Sequence, residues 1–119
     1  MPTPLAPCPS SPNCVSSQAT DAKHRVDAIA FRGDPGPAMR RLRAVIEAMP
    51  RARIVSADDS ALRAEFTSRL FRFVDDVDCL ADPAAGVIQI RSASRVGYSD
   101  LGVNRQRVEA IRAAFASRT

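Results

Sequence analysis

The sequence predicts an α+β fold, with a curved antiparallel sheet of five strands packed by two helices. Two observations support this class. Apolar residues recur at every third or fourth position in residues 37–49 and 101–115, whereas they alternate with a period of two between residues 52 and 94. The predicted order is therefore β-α-β-β-β-β-α, and runs of strands beside segregated helices are typical of α+β folds with an antiparallel sheet.

The first strand and the first helix are predicted from residues 25–49. RVDAIAF, at residues 25–31, is short and apolar, and the RGDPGP that follows contains turn residues. Pro37 suits the first turn of a helix, and Asp34 is favourable near the positive end of that helix. Pro50 ends the helix. Its apolar stripe consists of Met39, Leu42, Val45, Ile46 and Met49.

Four further strands and a closing helix complete the predicted body. ARIVSADD and ALRAEFTS alternate and form a hairpin, and FRFVDDVDCLA and GVIQIRSASR form the next two strands. In the last strand Ile88 and Ile90 share a face with Ser92 and Ser94. The closing helix has one stripe that consists of Leu101, Asn104, Val108, Ile111 and Phe115.

The chain is expected to form a single α+β domain at residues 23–119, preceded by an irregular Pro/Ser-rich arm at residues 1–22. A chain of 119 residues can bury one core, and the arm has five of the nine prolines and no periodicity. No apolar run approaches the roughly 20 residues that span a bilayer. The chain as given has no signal-peptide pattern, so a cytoplasmic location is expected.

The positive charge does not by itself indicate a nucleic-acid partner. The net charge is +4, and all but one of the 17 basic residues are arginine. Glu109 lies within one helical turn of Arg105 and Arg112 and partly compensates them. The chain has no Trp and a single Tyr, so side chains on which bases could stack are scarce. We therefore expect no nucleic-acid partner.

Three stretches carry a family resemblance: CPSSPNCVSS, FVDDV at residues 73–77, and RSASRVGYSDLGVNRQRVEAIR at residues 91–112. Together they resemble the family catalogued as domain of unknown function 1499, which is found in bacteria and in plastid-bearing organisms. The resemblance implies that the chain is related to this family, and it assigns no catalytic residues to the chain. The strand order is also similar to the TATA-binding-protein-like and helix-grip topologies, some of which enclose hydrophobic ligands.

The candidate ligand-binding residues lie where the last strand meets the last helix. Free backbone N–H groups at a helix N-terminus favour an anion, and guanidinium, hydroxyl and amide groups nearby would donate further hydrogen bonds. These residues are Arg91, Ser92, Ser94, Arg95, Tyr98, Ser99 and Asn104. The leading prediction is a small soluble, non-enzymatic module that binds an anionic or amphipathic ligand, or a protein partner, at this corner.

An alternative is that the polar groups of the corner satisfy one another. The partners available are Asp75, Asp76 and Asp100 for the two arginines, and Ser99 or Asp100 for the cap of the helix. Strict alternation favours this alternative, because it sends Arg91 and Ser92 to opposite faces of the sheet unless a bulge intervenes.

Asp75 is the candidate catalytic residue of a second hypothesis, in which the protein is an enzyme. Alternation places Asp75 on the apolar face beside Val77, where a carboxyl group can serve as a general acid or base. Arg91 or Arg95 would then hold an anionic substrate. The opposing interpretation is that Asp75 is paired with an arginine, because an unpaired buried charge is costly. Catalysis requires Asp75 to line an open cavity.

Cys8 and Cys14 have five residues between them, a spacing that matches neither a redox pair nor a zinc knuckle. A disulfide between them would persist only in an oxidising compartment. Unpaired thiols, and a zinc site completed by Cys79 and His24, are the alternatives. Alternation makes Cys79 a core residue, and His24 is expected at the surface. We therefore predict no metal site and no cofactor.

Overall fold

The computed structural model describes residues 5–70, 72–97 and 100–118. Within these ranges it has six strands and two helices. Their bounds are β1 Cys14–Ser16, β2 Ile29–Ala30, α1 Pro35–Glu47, β3 Ala52–Ala57, β4 Ala61–Thr67, β5 Val74–Asp82, β6 Val87–Ser94 and α2 Val103–Ser117.

The strands form one open sheet in the order β1-β6-β5-β4-β3, and β2 also pairs with β6. Every strand pair is antiparallel. The two short strands share one edge of β6: β1 lies along residues 91–93 and β2 along residues 87–88. The α+β class and the antiparallel sheet packed by two helices are therefore confirmed.

The five predicted strands are present, and the structure adds a sixth, β1, which lies in the segment expected to be irregular. This strand has only three residues, too few to show a period of two, and prolines precede it. Its partner in β6 lies about 80 residues away along the chain, so no local sequence pattern predicts the pairing. The first helix begins at Pro35, and Pro37 lies in its first turn as predicted.

Both helices pack on one face of the sheet, and this face holds the core. Alternate residues of β4, β5 and β6 are buried there, among them Leu62, Val77 and Ile88. The helices bury most of the predicted stripes, with Leu42 and Ile46 from α1 and with Val108 and its neighbours on the same side of α2. Leu101 was predicted on the second stripe, but it precedes α2 and is exposed. Of the described helices, none has the length and apolar character that a bilayer crossing requires.

The opposite face of the sheet is polar and partly exposed. Its side chains include Arg63 and Glu65 of β4, Asp76 and Asp78 of β5, and Gln89 and Arg91 of β6. Alternation of apolar and polar residues along β4–β6 separates these side chains from the core. The two faces of the sheet therefore offer different chemistry, and each candidate residue belongs to one of them.

Candidate functional site

The corner between β6 and α2 divides the predicted ligand-binding residues between the two faces. The pairing of β5 with β6 runs without a bulge from Asp82↔Val87 to Asp75↔Ser94, so strict alternation holds. Ser92, Ser94 and Asn104 come together on the helix-covered side. The side chains of Arg91 and Arg95 point to the opposite face. Tyr98 and Ser99 lie outside the described residues.

Asn104 is the centre of the buried group. Its side chain is fully buried, and its Oδ1 accepts hydrogen bonds from Ser92 Oγ at 2.6 Å and from Arg107 Nη1 at 2.9 Å. The amide nitrogen Nδ2 lies 3.0 Å from Ser94 Oγ and 3.1 Å from the carbonyl oxygen of Asn13. The amide group thus joins α2 to β6 and to the N-terminal arm, and both its donor and its acceptor atoms are used.

Asp75 forms an ion pair with Arg107 of α2, with Oδ2 2.8 Å from Nη1. Both side chains are nearly buried, with 12% of the Asp75 side chain and 13% of the Arg107 side chain exposed. The Arg107 guanidinium also lies over the Phe66 ring, 4.7 Å from its centroid. The charge of the Asp75 carboxylate is therefore balanced within the fold by Arg107.

Asp100 occupies the anion position at the N-terminus of α2. Its carboxylate accepts the backbone N–H of Gly102 at 2.9 Å and that of Asn104 at 3.0 Å, and it accepts the Asn104 side chain at 2.7 Å. Burial alone would raise the pKa of Asp100. The hydrogen bonds donated by Asn104 and Gly102 lower it by more than burial raises it, so the pKa lies below its usual value. The free N–H groups on which anion binding was predicted thus already have a carboxylate.

On the polar face Arg95 forms a bridge between two carboxylates. Its Nε donates to Asp76 at 2.8 Å, and its Nη2 donates to Glu65 at 2.6 Å. The hydrogen bond from Arg95 lowers the pKa of Asp76, whereas burial raises the pKa of Asp78. Arg91 reaches the N-terminal arm, with Nη2 3.5 Å from the carbonyl oxygen of Pro7.

The N-terminal arm contains a disulfide, which ties the segment around Cys8 to β1. Cys8 and Cys14 are bonded to each other, and Cys14 is fully buried in β1. The bond uses two of the four side chains that the zinc alternative needs. A third, Cys79, is buried in β5, where burial raises the pKa of its thiol far above the usual value. Across the described ranges, no three His, Cys, Asp or Glu side chains are grouped as metal ligands.

His24 is buried, which corrects the expectation that it lies at the surface. Its Nδ1 lies 2.6 Å from Asp21 Oδ2, and its Nε2 lies 2.9 Å from the carbonyl oxygen of Ser11. A carboxylate oxygen and a carbonyl oxygen thus flank the two ring nitrogens. The ring fixes the arm against the turn before β2, and this gives it a structural role.

A cleft of about 450 Å³ lies between β2, α1 and α2, away from the corner. Ala30, Phe31, Phe115 and Ala116 supply apolar walls, and Arg32 and Arg41 supply charge. The Arg41 guanidinium stacks on the Phe115 ring, 3.8 Å from its centroid. Neither arginine forms an ion pair with a described carboxylate. The Nε atom of Arg41 is buried and has no hydrogen-bond partner among the described residues.

Comparison with known proteins gives one result. The model of the family described as "Protein of unknown function (DUF1499)" matches residues 4–115 of the 119 in the chain. The chain belongs to the DUF1499 family. The resemblance predicted from the sequence is therefore confirmed. No curated protein and no solved structure matches the chain, so the TATA-binding-protein-like or helix-grip-like topology stays a prediction.

Two arginines of this DUF1499 protein take positions that the sequence interpretation missed. Arg107 follows Asn104 by three residues and therefore lies on the same side of α2. That spacing was the available signal. Arg41 lies outside the apolar stripe of α1, and its position over Phe115 depends on how α1 packs against α2. No local pattern in this DUF1499 sequence predicts how α1 packs against α2.

Reduction of the disulfide in this DUF1499 protein is expected to lower the free energy of unfolding by about 2 kcal/mol, because the bond closes a short loop in the unfolded chain. Denaturant unfolding with and without reductant measures the difference. The variant Cys8→Ser is the control, and its stability should not respond to reductant. Equal stability of the wild-type protein in both conditions would show that the bond contributes nothing.

Proposed function

We propose that this protein is a non-enzymatic binding module that receives a small amphipathic anion in the cleft between β2, α1 and α2. The observation that carries the proposal is the Arg41 guanidinium, which lies over an aromatic ring at the mouth of an apolar cleft and has no described carboxylate partner. The volume of about 450 Å³ is in the range of small-molecule sites.

The chemistry of the cleft selects the class of ligand. A carboxylate, sulfonate or phosphate group would accept hydrogen bonds from Arg41, and Arg32 would add a second positive charge. The apolar part of the same ligand would lie on Phe31, Ala30 and Ala116, which are partly or largely exposed, and would remove their apolar surface from water. A purely polar anion would gain only the hydrogen bonds to Arg41, and a neutral hydrocarbon would gain only the apolar contact. Amphipathic anions therefore fit the cleft best.

The corner between β6 and α2 is a less favourable place for the same ligand. Anion binding at Arg91, Ser92, Ser94, Arg95, Tyr98, Ser99 and Asn104 stays a prediction. An anion there would compete with the carboxylate of Asp100 for the N-terminus of α2 and with Asn104 for the two serines. It would also have to draw Arg95 away from Asp76 and Glu65.

The enzymatic alternative has no supporting observation among the described residues. General acid–base catalysis requires a side chain within hydrogen-bonding reach of a bound substrate. Asp75 is instead nearly buried and paired with Arg107. We therefore propose a binding function and no reaction.

Binding of 1-anilinonaphthalene-8-sulfonate, an amphipathic anion, tests the proposal directly through its fluorescence. We expect Arg41→Gln to weaken this binding about tenfold, since a charge-assisted hydrogen bond contributes about 1.5–3 kcal/mol. Octanoate should displace the dye from the wild-type protein. The matched control is Arg43→Gln, which removes an exposed arginine of the same helix and should leave the affinity unchanged.

Thermal unfolding of both variants, and amide chemical shifts at residues 30–32 and 115–116, accompany the titration. Shifts confined to those residues support the cleft. No dye binding by the folded wild-type protein, or equal affinity in the Arg41→Gln and wild-type proteins, would overturn the proposal. Shifts centred on residues 91–104 would instead support the corner.

The compartment in which such a module acts depends on Cys8 and Cys14. The sequence predicts the cytoplasm, where reducing conditions would keep both thiols reduced. The disulfide in the structure would instead persist in an oxidising compartment. Protein purified natively without reductant and then denatured distinguishes the two. Three free thiols would support the cytoplasm, and one free thiol, that of Cys79, would support an oxidising compartment.

A further inference from the structure

Most of the exposed large apolar side chains described in the structure lie at one end of the sheet. Exposed fractions are 81% for Leu70, 53% for Phe73, 57% for Val96, 89% for Leu101 and 43% for Val103. Only Val55, on β3, lies elsewhere among the large apolar side chains that the described ranges expose. A concentration of exposed apolar groups in one place is typical of an interaction surface.

Backbone hydrogen bonds show that these residues belong to one end of the molecule. The described residues 68–70 and 72–73 lie between β4 and β5, and the described residues 95–97 and 100–102 lie between β6 and α2. The Arg95 N–H donates to the Val74 carbonyl at 3.1 Å, so the second segment begins beside the end of the first. The Thr67 N–H donates to the Arg51 carbonyl at 3.1 Å, which adds the turn before β3. We call these segments together the loop end.

The loop end also carries positive charge without a described partner. Arg51, Arg69 and Arg72 line a cleft of about 470 Å³ together with Thr67 and Ser68. None of these three arginines forms an ion pair with a carboxylate in the described part of the chain. The nearby carboxylates of Glu65 and Asp76 are bound by other arginines. The loop end therefore presents positive charge next to apolar side chains.

The backbone at the loop end is held in an uncommon conformation. Arg51, Arg72 and Leu101 have φ angles of 59°, 54° and 56°, and no other non-glycine residue with positive φ occurs in the described ranges. Residues other than Gly, Asn and Asp rarely adopt this conformation, and it tends to occur at functional segments. Here it orients side chains at the positions where the charge and the apolar groups are exposed.

We propose that the loop end docks on the surface of an anionic lipid bilayer. Arg51, Arg69 and Arg72 would contact lipid phosphates, and Leu70 and Leu101 would enter the boundary between headgroups and acyl chains. The charge complementarity of three unpaired arginines with an anionic surface supports this partner. Burial of the apolar side chains would add a hydrophobic contribution to membrane binding, which a purely electrostatic contact lacks.

Two other classes of partner fit these observations less well. A single-stranded nucleic acid stacks its bases on aromatic rings, and it would gain little from the exposed aliphatic side chains of Leu70, Val96 and Leu101. A folded protein partner needs complementary packing, whereas Leu70 and Leu101 project from loops with most of their surface in water. Acyl chains adapt to such side chains without a preformed groove.

A lone tryptophan at the loop end would report insertion, because the chain has no Trp. We expect the emission of Leu70→Trp to shift to the blue on mixing with vesicles of phosphatidylcholine and phosphatidylglycerol in equal parts. Vesicles of phosphatidylcholine alone should give a smaller shift, and salt should weaken the response. The matched control is Val55→Trp, an exposed apolar position on β3, whose emission should not change.

Vesicle flotation of the otherwise unmodified chain measures the charge contribution. Arg69→Gln with Arg72→Gln should reduce binding about tenfold or more. The control, Arg25→Gln with Arg118→Gln, removes the same charge from exposed residues outside the loop end and should have little effect. Inorganic phosphate should not compete at millimolar concentration, which distinguishes a bilayer from a soluble phosphate ligand.

Three results would overturn this proposal. One is the absence of flotation with anionic vesicles. Another is an equal loss in both double variants, which would indicate unspecific attraction by net charge. The third is binding of a single-stranded oligonucleotide or a protein through Leu70 without any response to vesicles. Because the loop end and the Arg41 cleft share no residues, Arg41→Gln should leave flotation unchanged, and the failure of one proposal does not decide the other.

Discussion

Replacement of Asp75 by alanine is expected to lower the free energy of unfolding by about 3–5 kcal/mol, because it leaves the charge of Arg107 nearly buried without its counter-ion. Chemical denaturation at neutral pH measures this loss. Such a loss is a large part of the total stability of a domain of this size. The variant should therefore unfold at a clearly lower denaturant concentration, or fail to fold at room temperature.

Asp78→Ala is the matched control, because Asp78 lies on the same strand and pairs with Arg63 on the opposite, partly exposed face. Its loss should stay below about 1 kcal/mol. Burial already raises the pKa of Asp78, which indicates that ionisation of this carboxyl group is not favoured by the fold. Equal losses in Asp75→Ala and Asp78→Ala would contradict the buried ion pair.

A double-mutant cycle adds a second criterion. If Asp75 and Arg107 stabilise each other, the loss in Asp75→Ala with Arg107→Ala should be smaller than the sum of the two single losses. Additive losses would mean that the two side chains act independently. The cycle also remains informative if Asp75→Ala is only marginally folded, since Arg107→Ala and the double variant can be compared directly.

Asn104→Ala is expected to lower the free energy of unfolding by about 3 kcal/mol, because the two serines and Asp100 would each lose a buried hydrogen bond. Helix propensity acts in the opposite direction, since alanine favours a helix interior more than asparagine does. A measured loss therefore reports the hydrogen bonds and not the helix. Thermal or denaturant unfolding provides the value.

Gln106→Ala, an amide-to-alanine change at an exposed position of the same helix, is the control and should change stability by less than about 0.5 kcal/mol. The comparison also distinguishes a structural role from a ligand-binding role for Asn104. A stable Asn104→Ala protein that had lost affinity for small anions would favour the ligand role, whereas an unstable protein would favour the network seen in the structure.

The sheet was predictable where its pattern is local. Alternation along β4, β5 and β6 set the faces of Asp75, Arg91 and Ser92 correctly, because a continuous antiparallel register preserves a period of two. It also favoured the alternative in which Arg91 and Ser92 lie on opposite faces, against the leading prediction of one site. The strand β1 was not predictable, since three residues carry no period and the pairing partner is distant in sequence.

The partners of the buried polar groups were harder to predict than their faces. An arginine was expected for Asp75, but the candidates were taken from the same sheet, whereas Arg107 comes from the helix that packs on it. The position of Arg41 likewise depends on the contact between α1 and α2. Sequence spacing fixes which side of an element a residue occupies, and tertiary packing decides which group lies across from it.

The pairing of β1 with β6 joins two segments that are made at very different times during biosynthesis. About 80 residues separate Cys14 from its neighbour Ala93, so at translation rates of about 5–20 residues per second the arm waits several seconds for its partner strand. During that interval the Cys8 and Cys14 thiols are accessible to oxidants and chaperones on the nascent chain. The arm can take its final place only after β6 has left the ribosome.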